Sequence, residues 1–349
     1  MNRPASRRLR ELGLVRGGFL LLLGVQACSS VSPQQQIPVT PVQERQESRV
    51  LGRDQDFAVV LAQSGDDLKS LAERYLGDAR KAWWIAEFNG IANVQPGQEV
   101  VIPTRARNPV GVHSTGIQTV PILTYHRLGP NRSRLVVSPA AFDAQMQYLA
   151  VNGYHVIPLR QLTGFLQGGE PLPRKTVVIT LDDAYRSTYE VAYPILKKFG
   201  FPATVFLYTD FMGASDAMTW TQMRELANSG LIDIQPHSKS HGNLALRPPG
   251  ETDAQYRERL RQEIEVPAAT IRARLATEIY SYAFPYGDTN QDITDQLTRQ
   301  GIRLGLTVTP GGNAFFANPF MLRRTMVYGE DDLEAFKSKL AVFTTMTLR

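Results

Sequence analysis

From residue 119 onward the chain alternates short, wholly apolar runs with longer stretches whose apolar residues recur every three or four positions. The runs at 120–125, 176–181, 203–207, 231–234 and 280–283 have the length and β-branched or aromatic content of buried strands. Between them the periodicity predicts amphipathic helices near 138–152, 187–199, 219–229, 252–277, 290–300 and 331–341. Strand-then-helix alternation predicts a parallel α/β architecture over residues 119–349, either an open sheet or a barrel.

A smaller unit precedes it at 56–104. The apolar run 57–61 is followed by the turn Ser64-Gly65-Asp66, then by one helix face made of Leu68, Leu71, Ala72 and Tyr75, with Asp66 or Asp67 placed to cap it. Trp83, Trp84, Ile85, Ala86 and Phe88 predict a second helix ending at Asn89-Gly90. Pro96-Gly97-Gln98 then leads into a strand at Val100-Val101-Ile102, closed by Pro103. The order is β-α-α-β. Residues 105–118, with Pro109, Gly111 and Gly116, read as a linker to the larger domain.

The first 55 residues pattern differently. Arginines precede the apolar run 19–25, which is shorter than the ~20 residues a membrane-spanning helix needs. Residues 1–27 therefore read as a secretory signal. Residues 28–55, rich in Ser, Pro and Gln, bury too little apolar surface to fold and read as a flexible tether. Five arginines and one glutamate in the signal carry +4 of the net charge of +5. The remainder is nearly neutral, which removes nucleic acid as an expected partner.

The chemistry concentrates at two of the strand ends. Asp182 and Asp183 follow the 176–181 run, and His237 and His241 follow the 231–234 run at a spacing of four. The C-terminal ends of parallel strands are where α/β domains place their chemistry. One carboxylate and two imidazoles form a catalytic metal-ligand set, and the second carboxylate is left as a base. An aspartate there also suits a helix cap, but a cap needs only one. A third strand end carries Pro285-Tyr286-Gly287, a turn that puts an aromatic ring and a backbone N–H at a cleft rim. No Gly-x-Ser-x-Gly elbow occurs, which disfavours a serine hydrolase.

Taken in order, Thr180-Leu181-Asp182-Asp183-Ala184, His237-Ser238-Lys239-Ser240-His241 and Pro285-Tyr286-Gly287 resemble the three motifs of the NodB-homology polysaccharide deacetylases, carbohydrate esterase family 4. The resemblance spans about 119–330 and implies a distorted (β/α) barrel. It implies Asp183, His237 and His241 as ligands of a divalent metal, expected to be zinc, and Asp182 as the general base. The Tyr286 backbone N–H would serve the oxyanion, and Tyr286 and Trp220 would contact substrate. The implied reaction removes the acetyl group from N-acetylglucosamine units of a polysaccharide, either an exported exopolysaccharide or peptidoglycan.

Two alanines depart from the family pattern. Ala184 stands in place of a glycine, and Ala283 stands where many members have an arginine that pairs with the base. No Leu-x-His motif occurs near the C-terminus to carry the general acid. His126, after the 120–125 run, resembles instead the acid of the poly-N-acetylglucosamine deacetylase branch, whose barrel is circularly permuted. The competing expectation is a non-catalytic glycan-binding envelope lipoprotein on a degenerate barrel.

The 56–104 unit resembles a LysM module, a small binder of N-acetylglucosamine-containing glycans. Cys28, the sole cysteine, follows Ala27 behind the signal core and resembles the lipobox of bacterial lipoproteins, although Gln26 is atypical there. That resemblance implies lipidation of Cys28, a membrane anchor through its acyl chains, and a place in the cell envelope. In a Gram-negative cell, Ser29 after the cysteine implies the outer membrane.

Overall fold

The computed structural model describes residues 48–130 and 133–346. The expected signal, Cys28 and most of the expected tether lie outside the described residues. No helix among the described residues is long and apolar enough to cross a membrane.

The expected tether ends early, because Arg49–Arg53 forms a strand antiparallel to Phe57–Leu61. All five of its side chains are exposed. Backbone pairing alone holds it, so composition gave no sign of it. Phe57–Leu61 in turn pairs antiparallel with Glu99–Pro103. Between those two strands lie helices Leu68–Leu76 and Ala82–Asn89. Asp67 caps the first: its carboxylate accepts from Ser70 N–H while the Ser70 hydroxyl accepts from Asp67 N–H. Asn89 ties the second helix to the sheet. Its Nδ2 donates to Val101 O at 2.6 Å, and its Oδ1 accepts from Val101 N at 2.9 Å. Ala58, Val60, Leu71, Ala72, Ile85, Val100 and Ile102 close a small core of their own.

The expected linker is also partly ordered. Val112–His113 and Gly116–Gln118 form a hairpin, and the latter pairs with Phe343–Thr345 near the C-terminus. Gly116 is required there: its φ is 155°, and a Cβ would lie 2.2 Å from the Thr344 carbonyl oxygen.

The larger part is a mixed α/β fold built on parallel strands, the four central ones fully or largely buried as strands of a sheet covered on both faces must be. Val120–Tyr125, Thr176–Asp182, Ala203–Leu207 and Ile232–Pro236 lie side by side in that order, and Thr325–Met326 flanks the first. Ser281–Ala283 and Leu304–Leu306 form a separate parallel pair. A bridge from Leu306 to Leu322 links that pair back toward Thr325–Met326. Between Ile232–Pro236 and Ser281–Ala283 no ladder is formed among the described residues. The buried Gln235 side chain spans that gap instead: Oε1 accepts from Tyr280 N and Ser281 N, and Nε2 donates to Glu278 O at 2.8 Å.

Helices Pro139–Val151, Trp220–Asn228, Asp253–Leu275 and Gln291–Arg299 pack outside the strands. The small unit meets the larger at the strands' N-terminal side, where Arg174 N donates to Glu87 Oε1 at 2.9 Å. Arg174 precedes the strand Thr176–Asp182, whereas Asp182 is at its other end. Seven residues of strand put about 20 Å between the two ends.

Candidate metal centre

Asp182 and Asp183 close the fully buried strand Thr176–Asp182, and His237 directly follows Ile232–Pro236. Parallel pairing through Ala203–Leu207 brings these two ends to the same level. One ligand atom from each of Asp183, His237 and His241 lies within 4.8 Å of the others. Asp183 Oδ1 is 3.8 Å from His237 Nε2 and 3.3 Å from His241 Nε2.

This trio fits a divalent cation on its own chemistry. Asp183 Oδ1 is buried without a hydrogen-bond partner, a costly state for a carboxylate oxygen unless a cation sits against it. His237 Nδ1 lies 2.7 Å from the Ala283 carbonyl oxygen. The ring must donate its proton there, which leaves Nε2 as the lone-pair face turned to Asp183.

The backbone around the site is strained. Asp183 (φ 70°), Ala184 (58°), Ser238 (90°), His241 (63°) and Tyr286 (62°) all occupy the left-handed region. Of the six non-glycine residues there among the described residues, only Ala276 lies elsewhere, at a helix end. Such clustering marks positions that the surrounding structure over-determines. Ala184 thus keeps a glycine-like conformation and carries its methyl into the main core.

Asp182 is not a member of the trio. Its Oδ1 accepts from Arg324 Nη1 at 2.7 Å, and its Oδ2 lies 3.9 Å from His237 Nε2. Burial pushes its carboxyl up, but the charges of Arg324, His237 and His126 and the Arg324 hydrogen bond outweigh that and hold it below the usual carboxylate range. Asp183 is likewise pushed up by burial, but His241 and the charges of His237 and His126 bring it down to about 2. Burial lowers His237, and the two carboxylates only partly offset this. His241 feels a smaller burial penalty and is raised by Asp183 and Asp182.

Arg324 answers the question that Ala283 raised. The expected arginine is absent from position 283, and one arrives at Asp182 from the segment before Thr325–Met326. Its Nε donates to Thr307 O at 2.8 Å, and its guanidinium carbon lies 5.5 Å from the Phe206 ring centre. The available sign was the pair Arg323-Arg324 inside the apolar stretch 320–327, where side-chain alternation must turn one arginine inward. Ala283 contributes its carbonyl to His237 instead.

His126 follows Val120–Tyr125, is half-buried, and is close enough for its charge to act on both aspartates. Tyr286 is 61% exposed, and its ring stands 5.1 Å from that of His241. Tyr208, Phe211 and Tyr185, not singled out from the sequence, extend an aromatic wall from His241, and the Arg127 guanidinium lies 3.8 Å over Tyr185. Trp220 is set apart from the trio's ring contacts. It begins helix Trp220–Asn228, packs on the main core and lies 5.6 Å below the Arg274 guanidinium.

Paired carboxylates and imidazoles at the C-terminal ends of parallel strands define an α/β protein with an Asp/His/His cluster of metal-ligand type. Comparison with known proteins narrows the class. Residues 169–305 match the family model for polysaccharide deacetylase. The Bacillus subtilis (strain 168) protein YxkH, named for the same family, is 31% identical over 208 residues, covering 60% of this chain and 71% of its own. The poly-β-1,6-N-acetyl-D-glucosamine N-deacetylase of Escherichia coli (strain K12) is 28% identical over 209 residues, covering 50% of this chain but only 31% of its own length. The solved structure of IcaB from Ammonifex degensii superimposes with a TM-score of 0.57 at 26% identity, over 64% of this chain and 96% of that one. The chain belongs to the polysaccharide deacetylase family, hydrolases that act on carbon–nitrogen bonds.

Proposed function

We propose that this chain is a metal-dependent N-deacetylase of an N-acetylglucosamine polysaccharide. The observation that carries the reading is the division of labour between adjacent aspartates, one in the Asp/His/His trio and one held by Arg324. Asp183, His237 and His241 would hold zinc, whose catalytic sites use such a donor set with one position left open. Bound there, a divalent cation supplies Lewis acidity toward water and the acetyl carbonyl.

The protein's own groups supply the rest. Arg324 keeps Asp182 ionised at Oδ1, so Oδ2 is free to take the proton of the attacking water. The Tyr286 backbone N–H, in a left-handed turn whose side chain stands beside His241, would be the donor to the developing oxyanion. His126 delivers a proton to the departing amine. The aromatic wall of Tyr208, Phe211 and Tyr185, rather than Trp220, offers faces for sugar rings.

We read the barrel as circularly permuted, since the strand leading to His126 lies between Thr176–Asp182 and Thr325–Met326. The names of the Escherichia coli and related deacetylases support poly-β-1,6-N-acetylglucosamine as the polymer. We read the 56–104 unit as a LysM-like glycan binder. Its position beyond the far strand ends suits holding the enzyme on a polymer better than feeding a sugar to Asp182. Cys28 is proposed as a lipid anchor to the cell envelope, supported by its place behind the apolar run; incorporation of labelled fatty acid, lost in Cys28→Ser, tests it.

The reading is tested by acetate release from β-1,6- and β-1,4-linked N-acetylglucosamine oligomers beside an O-acetylated glycan. Release from the N-acetyl oligomers, fastest with the β-1,6 series, is expected. Release from the O-acetyl glycan alone would replace the proposed reaction with ester hydrolysis.

A further inference from the structure

The loop between the two histidine ligands is held only in part by its own hydrogen bonds. Ser238 and His241 both sit at positive φ, 90° and 63°, where an L-residue costs about 1–2 kcal/mol. One bond inside the loop and two from the Thr209–Asp210 segment restrain it. Ser238 Oγ accepts from His241 N at 2.8 Å, Thr209 N donates to Ser238 O at 3.3 Å, and Asp210 N donates to Lys239 O at 2.9 Å. The remaining restraint comes from a residue outside every motif.

We propose that Glu263, on helix Asp253–Leu275, is the positioning residue that keeps His241 in its metal-facing geometry. It is 9% exposed, and its carboxylate is spent on this loop. Oε2 accepts from Lys239 N at 3.0 Å and Ser240 N at 2.9 Å, and Oε1 accepts from Ser240 Oγ at 2.7 Å. Hydrogen bonds to an ionised acceptor are roughly twice as strong as neutral ones. Three of them on two consecutive residues fix the backbone just before His241.

The same helix position also reaches the other imidazole. The Glu263 carbonyl accepts from Tyr282 Oη at 3.3 Å. Tyr282 precedes Ala283, whose carbonyl receives the His237 ring proton. Glu263 is therefore joined to both histidine ligands through groups outside the Asp183/His237/His241 trio. Loss of its charge leaves the ligand set formed but unsupported, and outer supports of this kind are worth about 10- to 100-fold in metal affinity.

The proposal rests on the metal reading above, and its test separates the two. The full chain, stripped by chelator, is titrated with cobalt(II) and followed by visible absorption, for the wild type, Glu263→Gln and Ser240→Ala. Thermal unfolding of the stripped proteins is recorded alongside. Glu263→Gln is expected to bind cobalt about 10- to 100-fold more weakly with an altered spectrum while still melting cooperatively. Ser240→Ala, which removes one of the three contacts, should lose less. Wild-type affinity and spectrum in Glu263→Gln would overturn the positioning role and leave the metal site standing. Should Glu263→Gln not fold, an unchanged Ser240→Ala would overturn it in the same way. A wild type that binds no cobalt would overturn the metal reading and this proposal with it.

Discussion

Arg324 donates to Asp182 across the interior of the strands: Nη1 lies 2.7 Å from Oδ1, with the side chains 0% and 2% exposed. A buried carboxylate at that depth needs its partner. Removing one member of a buried ion pair typically costs 3–5 kcal/mol, because the other charge is left without compensation.

Arg324→Met should therefore lower stability by about 3–5 kcal/mol. It should also move the acid limb of kcat/KM to higher pH, because burial would then raise Asp182 unopposed by its strongest charge. Arg324→Lys should restore part of both. Steady-state pH profiles beside denaturant unfolding check this; an unmoved acid limb would remove Asp182 from the role of base.

The regular part of this fold was legible because its signals are local. The strands at 120–125, 176–182 and 203–207 and the helices beside them appear where apolar runs and 3.6-residue periods predict them. The strand at 49–53 has no such signal, because its five side chains are exposed and only backbone pairing with the neighbouring 57–61 holds it; the strand at 116–118 owes its order to pairing with 343–345, more than 200 residues away. The Asp183, His237 and His241 trio was legible because its members come after readable strands. Arg324, Gln235 and Glu263 were not, since each acts on a residue between 23 and 142 positions away that only the folded chain brings near.

Gln235 bridges the gap between Ile232–Pro236 and Ser281–Ala283, where no ladder forms among the described residues. Gln235→Leu keeps the volume but leaves Tyr280 N, Ser281 N and Glu278 O without their partner. Each orphaned buried group costs about 1–3 kcal/mol. A loss of at least about 2 kcal/mol is expected by urea unfolding, together with faster hydrogen exchange at Tyr282 and Ala283. Undisturbed exchange there would mean that the gap is held by side-chain packing.

Two left-handed alanines separate strain from packing. Ala276 ends helix Asp253–Leu275 at φ 53° and is exposed, so Ala276→Gly should raise stability by up to about 1 kcal/mol. Ala184 has φ 58°, but its methyl is buried in the main core. Relief of strain and loss of a buried methyl nearly cancel there, so Ala184→Gly should change stability by less than about 1 kcal/mol. Parallel denaturant curves measure both.

The stability of the metal-free protein should carry the signature of the site's charges. Asp183, raised by burial but lowered further by His241 and its neighbours, titrates at about 2, against about 3.9 when unfolded. The folded state then binds fewer protons, so this group stabilises above about pH 3.9 and the contribution, about 2 kcal/mol, is lost as pH falls toward 2. His237, lowered chiefly by burial, stabilises above about 6.5 and loses that as pH falls below it. His241, raised by Asp183 against its burial, does the reverse and loses its contribution as pH rises through its folded value. Chelated wild type should lose melting temperature more steeply between pH 4 and 2 than chelated Asp183→Asn; equal slopes would contradict the assignment.

The proposed division of metal binding and proton transfer between the two adjacent aspartates can be read in one experiment: bound zinc and acetate release measured together, on an N-acetylglucosamine oligomer, for wild type, Asp182→Asn and Asp183→Asn. Wild-type release should be chelator-sensitive and restored by zinc. Asp182→Asn should keep its zinc with a rate reduced about 10²- to 10⁴-fold, and Asp183→Asn should lose zinc and release together. Release that survives chelation, or an Asp182→Asn protein that loses its zinc while Asp183→Asn retains it, would refute that division.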